Sequence, residues 1–111
     1  MKPIHTFKFK KNYNNKMNCE FFTTIRGVKA PVEVGDIAYC HVVGTPQESR
    51  IEVEVMVIIP TRLKKINTLI SYLDAGLSQD DFAKLMQNCY KRDLTIGVIY
   101  VYLLKRRTRL W

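Results

Sequence analysis

Several kinds of residue and segment are scarce in this chain, and each scarcity excludes a class of protein. Cysteine occurs three times, at 19, 40 and 89, an odd number at wide spacing that argues against a disulfide framework and is typical of reduced thiols. No apolar run approaches the roughly 18 residues that a membrane-spanning helix needs. The first residues lack the apolar core of a secretory signal. We therefore expect a cytoplasmic protein that does not act at a membrane.

Metal-ligand and phosphate-loop motifs are also missing. Cys40 and His41 are neighbours in a predicted strand, so their side chains point to opposite faces. His5, Cys19 and Cys89 form no pair with ligand spacing, and no glycine-rich phosphate loop is present. We expect no metal site and no cofactor. The thiols are interpreted as small apolar core groups, and Cys89, on the apolar stripe of a helix, should be inert.

Acidic residues are absent from both ends of the chain. Residues 1–16 hold five lysines, and residues 103–111 hold Lys105, Arg106, Arg107 and Arg109. The formal net charge is +8, so the ends carry the whole excess and the segment between them is nearly neutral. Such a distribution favours polyanionic partners, of which nucleic acids are the commonest. Solvated tails that aid solubility are the alternative.

Apolar periodicity and turn residues predict a single α+β domain over residues 1–111, with a basic C-terminal tail at 105–111. Strands are expected at 4–9, 21–26, 37–43, 51–59 and 95–104, a short helix at 11–18, and longer helices at 66–73 and after Ser78. Pro60 should end the fourth strand. The last helix should bury Phe82, Leu85, Met86 and Cys89. A small twisted sheet or barrel with helices packed on it accounts for this order.

The segment Phe22-Thr23-Thr24-Ile25-Arg26 is the most suggestive candidate for a site. Thr24 and Arg26 fall on the same face of a strand. A guanidinium on a mostly apolar strand needs an acidic or phosphate partner. The purely structural alternatives are exposure at the strand end or an ion pair with a nearby acid. The acids in question are Glu33, Asp36 and Glu54.

The order of motifs resembles the ASCH domains of the PUA-like superfamily. The motifs are T-x-R at 24–26, a connection, G-D at 35–36, a strand, a long E-V-x-V strand, a helix, and A-G-L-S at 75–78 leading into a second helix. This resemblance covers most of the chain, residues 4–104. It implies a small β-barrel of five to six strands with two to three short helices packed at its openings. It also implies a cleft beside the T-x-R strand and an association with RNA or modified nucleosides.

Some ASCH members are hydrolases, and one bacterial branch removes the acetyl group from N4-acetylcytidine. The resemblance places that branch's lysine at Phe21 and its glutamate at Ala75, so this chain departs from the pattern at both positions. Thr24 matches the motif threonine, but a threonine nucleophile needs an adjacent base. Lys29 and Asp74 are the candidates to replace the missing groups. Thr24 and Asp74 are thus the candidate catalytic residues, although we expect the amidohydrolase chemistry to be absent.

We therefore predict a domain that binds RNA or a modified nucleoside through a basic surface beside a cleft, as a monomer or weak homodimer. The candidate ligand-binding residues are Lys8, Lys10, Lys11, Arg26, Lys29, Lys105, Arg106, Arg107 and Arg109. If the first and last strands are neighbours, the two basic clusters should lie on one face near Arg26. Two alternatives stay open: a hydrolase acting on a modified nucleoside such as N4-acetylcytidine, and a protein-interaction module.

Overall fold

Five β-strands form one mixed sheet, and two α-helices pack against it, in a computed structural model that describes residues 3–90, 94 and 97–107, without the side chains at 13, 14, 68 and 72. The elements are β1 (Thr6–Phe9), β2 (Phe21–Arg26), β3 (Ile37–Val42), β4 (Ile51–Thr61), β5 (Ile99–Arg106), α1 (Thr68–Ala75) and α2 (Gln79–Cys89). Short 3₁₀ helices span Tyr13–Asn18, Gln47–Ser49 and Leu63–Lys65. The predicted short helix at 11–18 is therefore a 3₁₀ helix, hereafter the first 3₁₀ helix.

The strand order is β1-β3-β4-β5-β2, with β1 parallel to β3 and the other pairs antiparallel. The apolar β5 lies inside the sheet between β4 and β2, as its sequence predicts. Within the described residues no ladder joins the two edge strands, β1 and β2, so the sheet is open. The α+β class, the five strands and the short helices are confirmed, whereas closure into a barrel is not.

Pro60 does not end β4, which continues to Thr61. Pro60 pairs with Tyr100 of β5. On its other side, β4 pairs with β3 only along residues 51–54 in the described register. Pro60 therefore lies where β4 has a described ladder partner on one side alone, and a strand tolerates a proline at such an edge-like position. The expectation that Pro60 stops the strand is wrong for this reason.

The buried side chains form two clusters. One joins β1, β3, β4 and β5, and it includes Phe7, Phe9, Cys40, Val53, Val55, Tyr102 and Leu104. The other lies where the helices meet β2 and β5, and it includes Ile25, Ile66, Phe82, Met86, Leu94 and Ile99. Burying each large apolar side chain contributes about 1.5–3 kcal/mol, so the two clusters dominate the stability of the fold.

The start of α2 follows directly from its sequence. The Ser78 hydroxyl accepts a hydrogen bond from the backbone N–H of Asp81 at 3.2 Å, and Asp80 and Asp81 lie in the positive first turn. Phe82 and Met86, four residues apart, are buried on one face. The predicted cap and stripe are therefore confirmed at these positions. In the part of the chain that the structure describes, no helix is long and apolar enough to cross a membrane.

Candidate functional site

A pocket of about 240 Å³ lies where the end of β2 and the strand β1 meet the two α-helices. Its apolar lining is Phe9, Ile25, Ala75, Phe82, Leu85, Met86, Cys89 and Tyr90. Its polar lining is Lys8, Lys10, Lys16, Thr24, Arg26 and Asp74. Ligand pockets usually measure roughly 300–1,000 Å³, so this one suits a group the size of one or two rings. Neither Phe21 nor Phe22 lines it, so the cleft beside the T-x-R strand is not closed by these aromatics.

A buried ion pair forms the polar floor of the pocket. Lys16 Nζ donates a hydrogen bond to Asp74 Oδ1 at 2.9 Å, and the two side chains are 5% and 8% exposed. The Thr23 hydroxyl donates to the same carboxylate oxygen at 2.8 Å. The lysine comes from the first 3₁₀ helix and the aspartate from α1, 58 residues later. Each buried charge depends on the other, because an unpaired charge in this environment is strongly destabilising.

The first 3₁₀ helix places Lys16 in this position. The Asn12 side-chain oxygen accepts a hydrogen bond from the backbone N–H of Met17 at 3.0 Å, and Met17 is buried beside Lys16. The Lys16 ammonium also lies 5.4 Å from the centroid of the Phe9 ring. Burial lowers the pKa of Lys16, and the attraction of Asp74 offsets part of that shift. The amine is therefore easier to deprotonate than an exposed lysine.

Arg26 connects the two edge strands. Its Nε donates to Thr24 Oγ1 at 3.0 Å, and its Nη1 donates to the backbone carbonyl of Lys8 at 2.9 Å. The guanidinium carbon lies 4.6 Å from the centroid of the Phe9 ring and 5.5 Å from that of Phe7. Burial lowers the pKa of Arg26, but an arginine stays protonated. Described residues accept only two of its five N–H donors, which leaves donors for a ligand.

The expected acidic partner of Arg26 is not found among the described residues. Asp36 instead accepts a hydrogen bond from the backbone N–H of Glu33 at 2.7 Å, and neither of these acids nor Glu54 pairs with the guanidinium. Hydrogen-bond acceptors and the two aromatic rings replace the ion pair. A ligand anion could therefore form a direct ion pair with Arg26 that no described carboxylate forms.

The predicted catalytic residues share the pocket, and a third group joins them. Thr24 and Asp74 are both buried, and both line the cavity. Lys16 supplies an amine beside them, whereas the residue matched to the family lysine, Phe21, is exposed. Sequence reasoning missed Lys16 because it counted this lysine only as part of a basic cluster. The signal that could have found it is its place next to Met17, the buried residue of a short predicted helix.

The N-terminal basic residues lie at or near the pocket. Lys8 and Lys10 are exposed and line it, and Lys29 lines a neighbouring groove. Lys11 is exposed but does not line either cavity. The structure therefore brings Lys8, Lys10 and Lys29 to the two cavities, and their role in binding stays a prediction.

The C-terminal basic residues lie at the other end of β2. Lys105 is opposite Phe21 in the β2–β5 register, whereas Arg26 is opposite Tyr100. Five residues of strand separate the two ends by about 17 Å. The prediction that both basic clusters lie near Arg26 is therefore wrong for the described C-terminal residues, which are Lys105, Arg106 and Arg107. Arg109 lies outside the described residues.

Two cysteines differ from the sequence interpretation. Cys89 is exposed and lines the pocket, so it is not the buried helix residue that was expected. Cys19 is exposed as well. Cys40 fits the expectation, since burial raises the pKa of its thiol to about 12 and keeps it unreactive. In the described ranges, no three His, Cys, Asp or Glu side chains are grouped closely enough to hold a metal ion.

Comparison with known proteins finds no family model, no curated protein and no solved structure that matches this chain. The function must therefore be inferred from the pocket itself, and the resemblance to ASCH domains stays a prediction.

Proposed function

We propose that the protein is a PUA-like RNA-binding domain whose pocket receives one base or modified nucleoside of the bound strand. The observation that carries this proposal is the meeting of a ring-sized cavity with three cationic side chains that no described carboxylate pairs with, Lys8, Lys10 and Arg26, in one lining. A base needs an enclosed apolar slot, and its strand needs cations for the phosphates. This pocket offers both.

The pocket lining matches the chemistry of a nucleobase. Phe82, Met86 and Tyr90 provide apolar and aromatic surface against which a planar ring can pack. Arg26 supplies N–H donors, and Asp74 supplies a carboxylate acceptor, at the polar side. Base edges carry donors and acceptors in alternation, so a base is a better match than a purely apolar ligand.

The positive charge at the pocket favours an RNA strand over an isolated neutral molecule as the ligand. Lys8 and Lys10 are exposed, and neither forms an ion pair with a described carboxylate. Their charges are available to neutralise phosphates and release counterions. The contact from Arg26 to the Lys8 carbonyl also brings the two sheet edges together, which supports a barrel-like closure.

Binding of a short single-stranded RNA at rising salt tests the proposal. We expect log affinity to fall with log salt, by about 0.7 for each phosphate neutralised. Replacing Lys8 and Lys10 together with glutamine should reduce that slope by about 1.4. The matched control replaces Lys64 and Lys65, which are exposed and do not line the pocket. An affinity without salt dependence, or an equal loss in the control, contradicts the proposal.

A hydrolase acting on an acylated nucleoside is the second candidate, and a specific observation favours it. Lys16, Thr24 and Asp74 line the same cavity, and burial lowers the pKa of Lys16, so that its amine gives up its own proton more readily than an exposed lysine does. In the proposed reaction the Thr24 oxygen attacks the acyl carbon while neutral Lys16 takes the hydroxyl proton. The C–N bond breaks, the proton passes to the leaving nitrogen, and water hydrolyses the acyl-threonine ester. Arg26 stabilises the oxyanion that develops on the acyl oxygen during each attack, by Thr24 and then by water.

Turnover of N4-acetylcytidine distinguishes the hydrolase from the binding domain. If the chain is a hydrolase, the parent and Thr24→Ser release acetate, whereas Thr24→Val, which keeps the shape but loses the hydroxyl, is inactive. Release of acetate by Thr24→Val at the parent rate would remove Thr24 as nucleophile. If the parent itself shows no turnover but binds RNA, the hydrolase is excluded and the binding proposal stands.

A further inference from the structure

A wider groove adjoins the pocket at Arg26. The groove, of about 440 Å³, shares Lys8, Arg26 and Tyr90 with the pocket, and it adds His5 and Lys29 to the lining. Because three residues line both cavities, the two are neighbours around the same guanidinium. A single ligand can therefore occupy both.

The groove differs from the pocket in its charge. Four nitrogen-bearing side chains line it, namely His5, Lys8, Arg26 and Lys29, and none of its described lining residues is acidic. In the pocket, by contrast, Asp74 balances Lys16. No described carboxylate therefore forms an ion pair with a cation of the groove, so an anion would gain from entering it.

The geometry leaves these groups free to bind. Lys29 is exposed, and its Nζ makes one long contact, 3.4 Å, with the backbone carbonyl of Val32. Arg26 has N–H donors beyond the two that Thr24 and Lys8 accept. Burial, and after it the charge of Arg26, lowers the pKa of His5, so the imidazolium form is disfavoured in the free protein. A bound anion would favour that form.

We propose that this groove is a phosphate subsite, so that the preferred ligand is a nucleotide with its base in the pocket and its phosphate between Arg26 and Lys29. The proposal rests on the proposed function, because it takes the pocket as the base site. A phosphate offers acceptor oxygens to both cations at once, and such charge-assisted hydrogen bonds are the strong ones. A neutral nucleoside leaves the groove empty and gains nothing from it.

Calorimetric titration of the full chain tests the subsite. The probes are the four common ribonucleosides, their 5′- and 3′-monophosphates, and inorganic phosphate. We expect one monophosphate series to bind at least about tenfold more tightly than its nucleosides. Lys29→Gln should abolish most of that gain. Lys64→Gln, a replacement of an exposed lysine that does not line the groove, is the matched control.

The outcomes separate the subsite from the base pocket. Nucleosides that bind as well as both of their monophosphates overturn the subsite and leave the proposed function intact. A phosphate gain that survives Lys29→Gln also overturns it, because the phosphate would then lie elsewhere. If neither nucleosides nor nucleotides bind but inorganic phosphate binds and depends on Lys29, the groove is an anion site and the base pocket fails. No binding of any probe defeats both.

Discussion

The two ends of β2 carry similar positive charge but use it differently. At the Arg26 end, the cations line cavities, and within the described residues only Lys16 has a carboxylate partner. At the Phe21 end, the cations act within the protein: Arg107 pairs with Glu52 at 2.8 Å, and Lys105 lies 5.7 Å from the centroid of the Phe21 ring. The number of basic residues in a sequence therefore overstates the number of cations that are available to a ligand.

Arg106 links the two ends. Its Nη1 donates to the backbone carbonyl of Met17 at 2.7 Å, and its backbone N–H donates to the carbonyl of Glu20 at 2.6 Å. Met17 follows Lys16 in the first 3₁₀ helix, so the C-terminal strand holds the segment that carries the pocket lysine. A residue that the charge pattern assigned to ligand binding is thus a support for the site.

The largest expected effect is the loss of the buried charge partner in the pocket. Asp74→Asn leaves the Lys16 ammonium buried without a carboxylate, and we expect it to lower the free energy of unfolding by about 3–5 kcal/mol. Glu52→Gln removes the exposed partner of Arg107 at the other end and should cost less than about 1 kcal/mol. Urea unfolding measures both.

If Asp74→Asn and Glu52→Gln lowered the free energy of unfolding equally, the distinction between the two ends of β2 would be contradicted. Combining Asp74→Leu with Lys16→Met sharpens it further, because an apolar pair of similar size avoids the unpaired charge. The double variant should be more stable than Asp74→Asn. A double variant that is the least stable of all would mean that the pair contributes net stability beyond mutual neutralisation.

Arg106→Gln should have the next largest effect, and on stability only. The Met17 carbonyl loses a hydrogen bond from a charged donor, which costs about 1.5–3 kcal/mol. The salt dependence of RNA binding should not change, because Arg106 does not line either cavity. Urea unfolding and RNA titration on the same preparation provide the two readouts. A reduced salt slope with unchanged stability would return Arg106 to the ligand-binding set.

The parts of this fold that sequence predicted are those determined by local patterns. The β2 strand with Thr24 and Arg26 on one face and the cap of α2 at Ser78 both follow from residues within one element. The pairing of Lys16 with Asp74 spans 58 residues and depends on how the first 3₁₀ helix packs against α1. No spacing rule reports such a contact, so the polar floor of the pocket could not be predicted.

The predicted position of the C-terminal basic cluster was wrong for a related reason. The neighbour of β5 is β2 in the antiparallel sense, so the chain end that carries Lys105 lies beside the start of β2 and away from Arg26. The periodicity of each strand says nothing of this register. The sequence therefore predicted that both ends of the chain are basic. It did not predict that the two basic clusters lie at opposite ends of β2.

Single charge removals compare the two ends directly, with a smaller effect. Lys10→Gln, at the pocket, should reduce the slope of log RNA affinity against log salt by about 0.7. Lys105→Gln, at the other end, should leave the slope unchanged. Fluorescence anisotropy of a labelled single-stranded RNA at several salt concentrations measures both. A smaller salt slope in both variants would show that the bound RNA extends along the whole of β2.

The smallest expected effect is a change in the titration of His5 when a nucleotide binds. In the free protein, burial and Arg26 hold the pKa of His5 below its ordinary value, because both disfavour the imidazolium. The other described groups that can bear charge in the groove are Lys8, Lys29 and Tyr90. A phosphate among them adds negative charge and favours the imidazolium, so the pKa of His5 should rise, which NMR of the ring protons measures.

The sign of that change separates two arrangements of the ligand. A phosphate in the groove raises the pKa of His5, whereas a base that merely covers the groove deepens burial and lowers it further. His41, which lies outside both cavities and has its ring Nε2 3.1 Å from the Thr45 carbonyl oxygen, is the internal control. An upward shift that is lost in Lys29→Gln places the phosphate between the two cations. A downward shift would mean that the base occupies the groove and that the phosphates are bound by Lys8 and Lys10 instead.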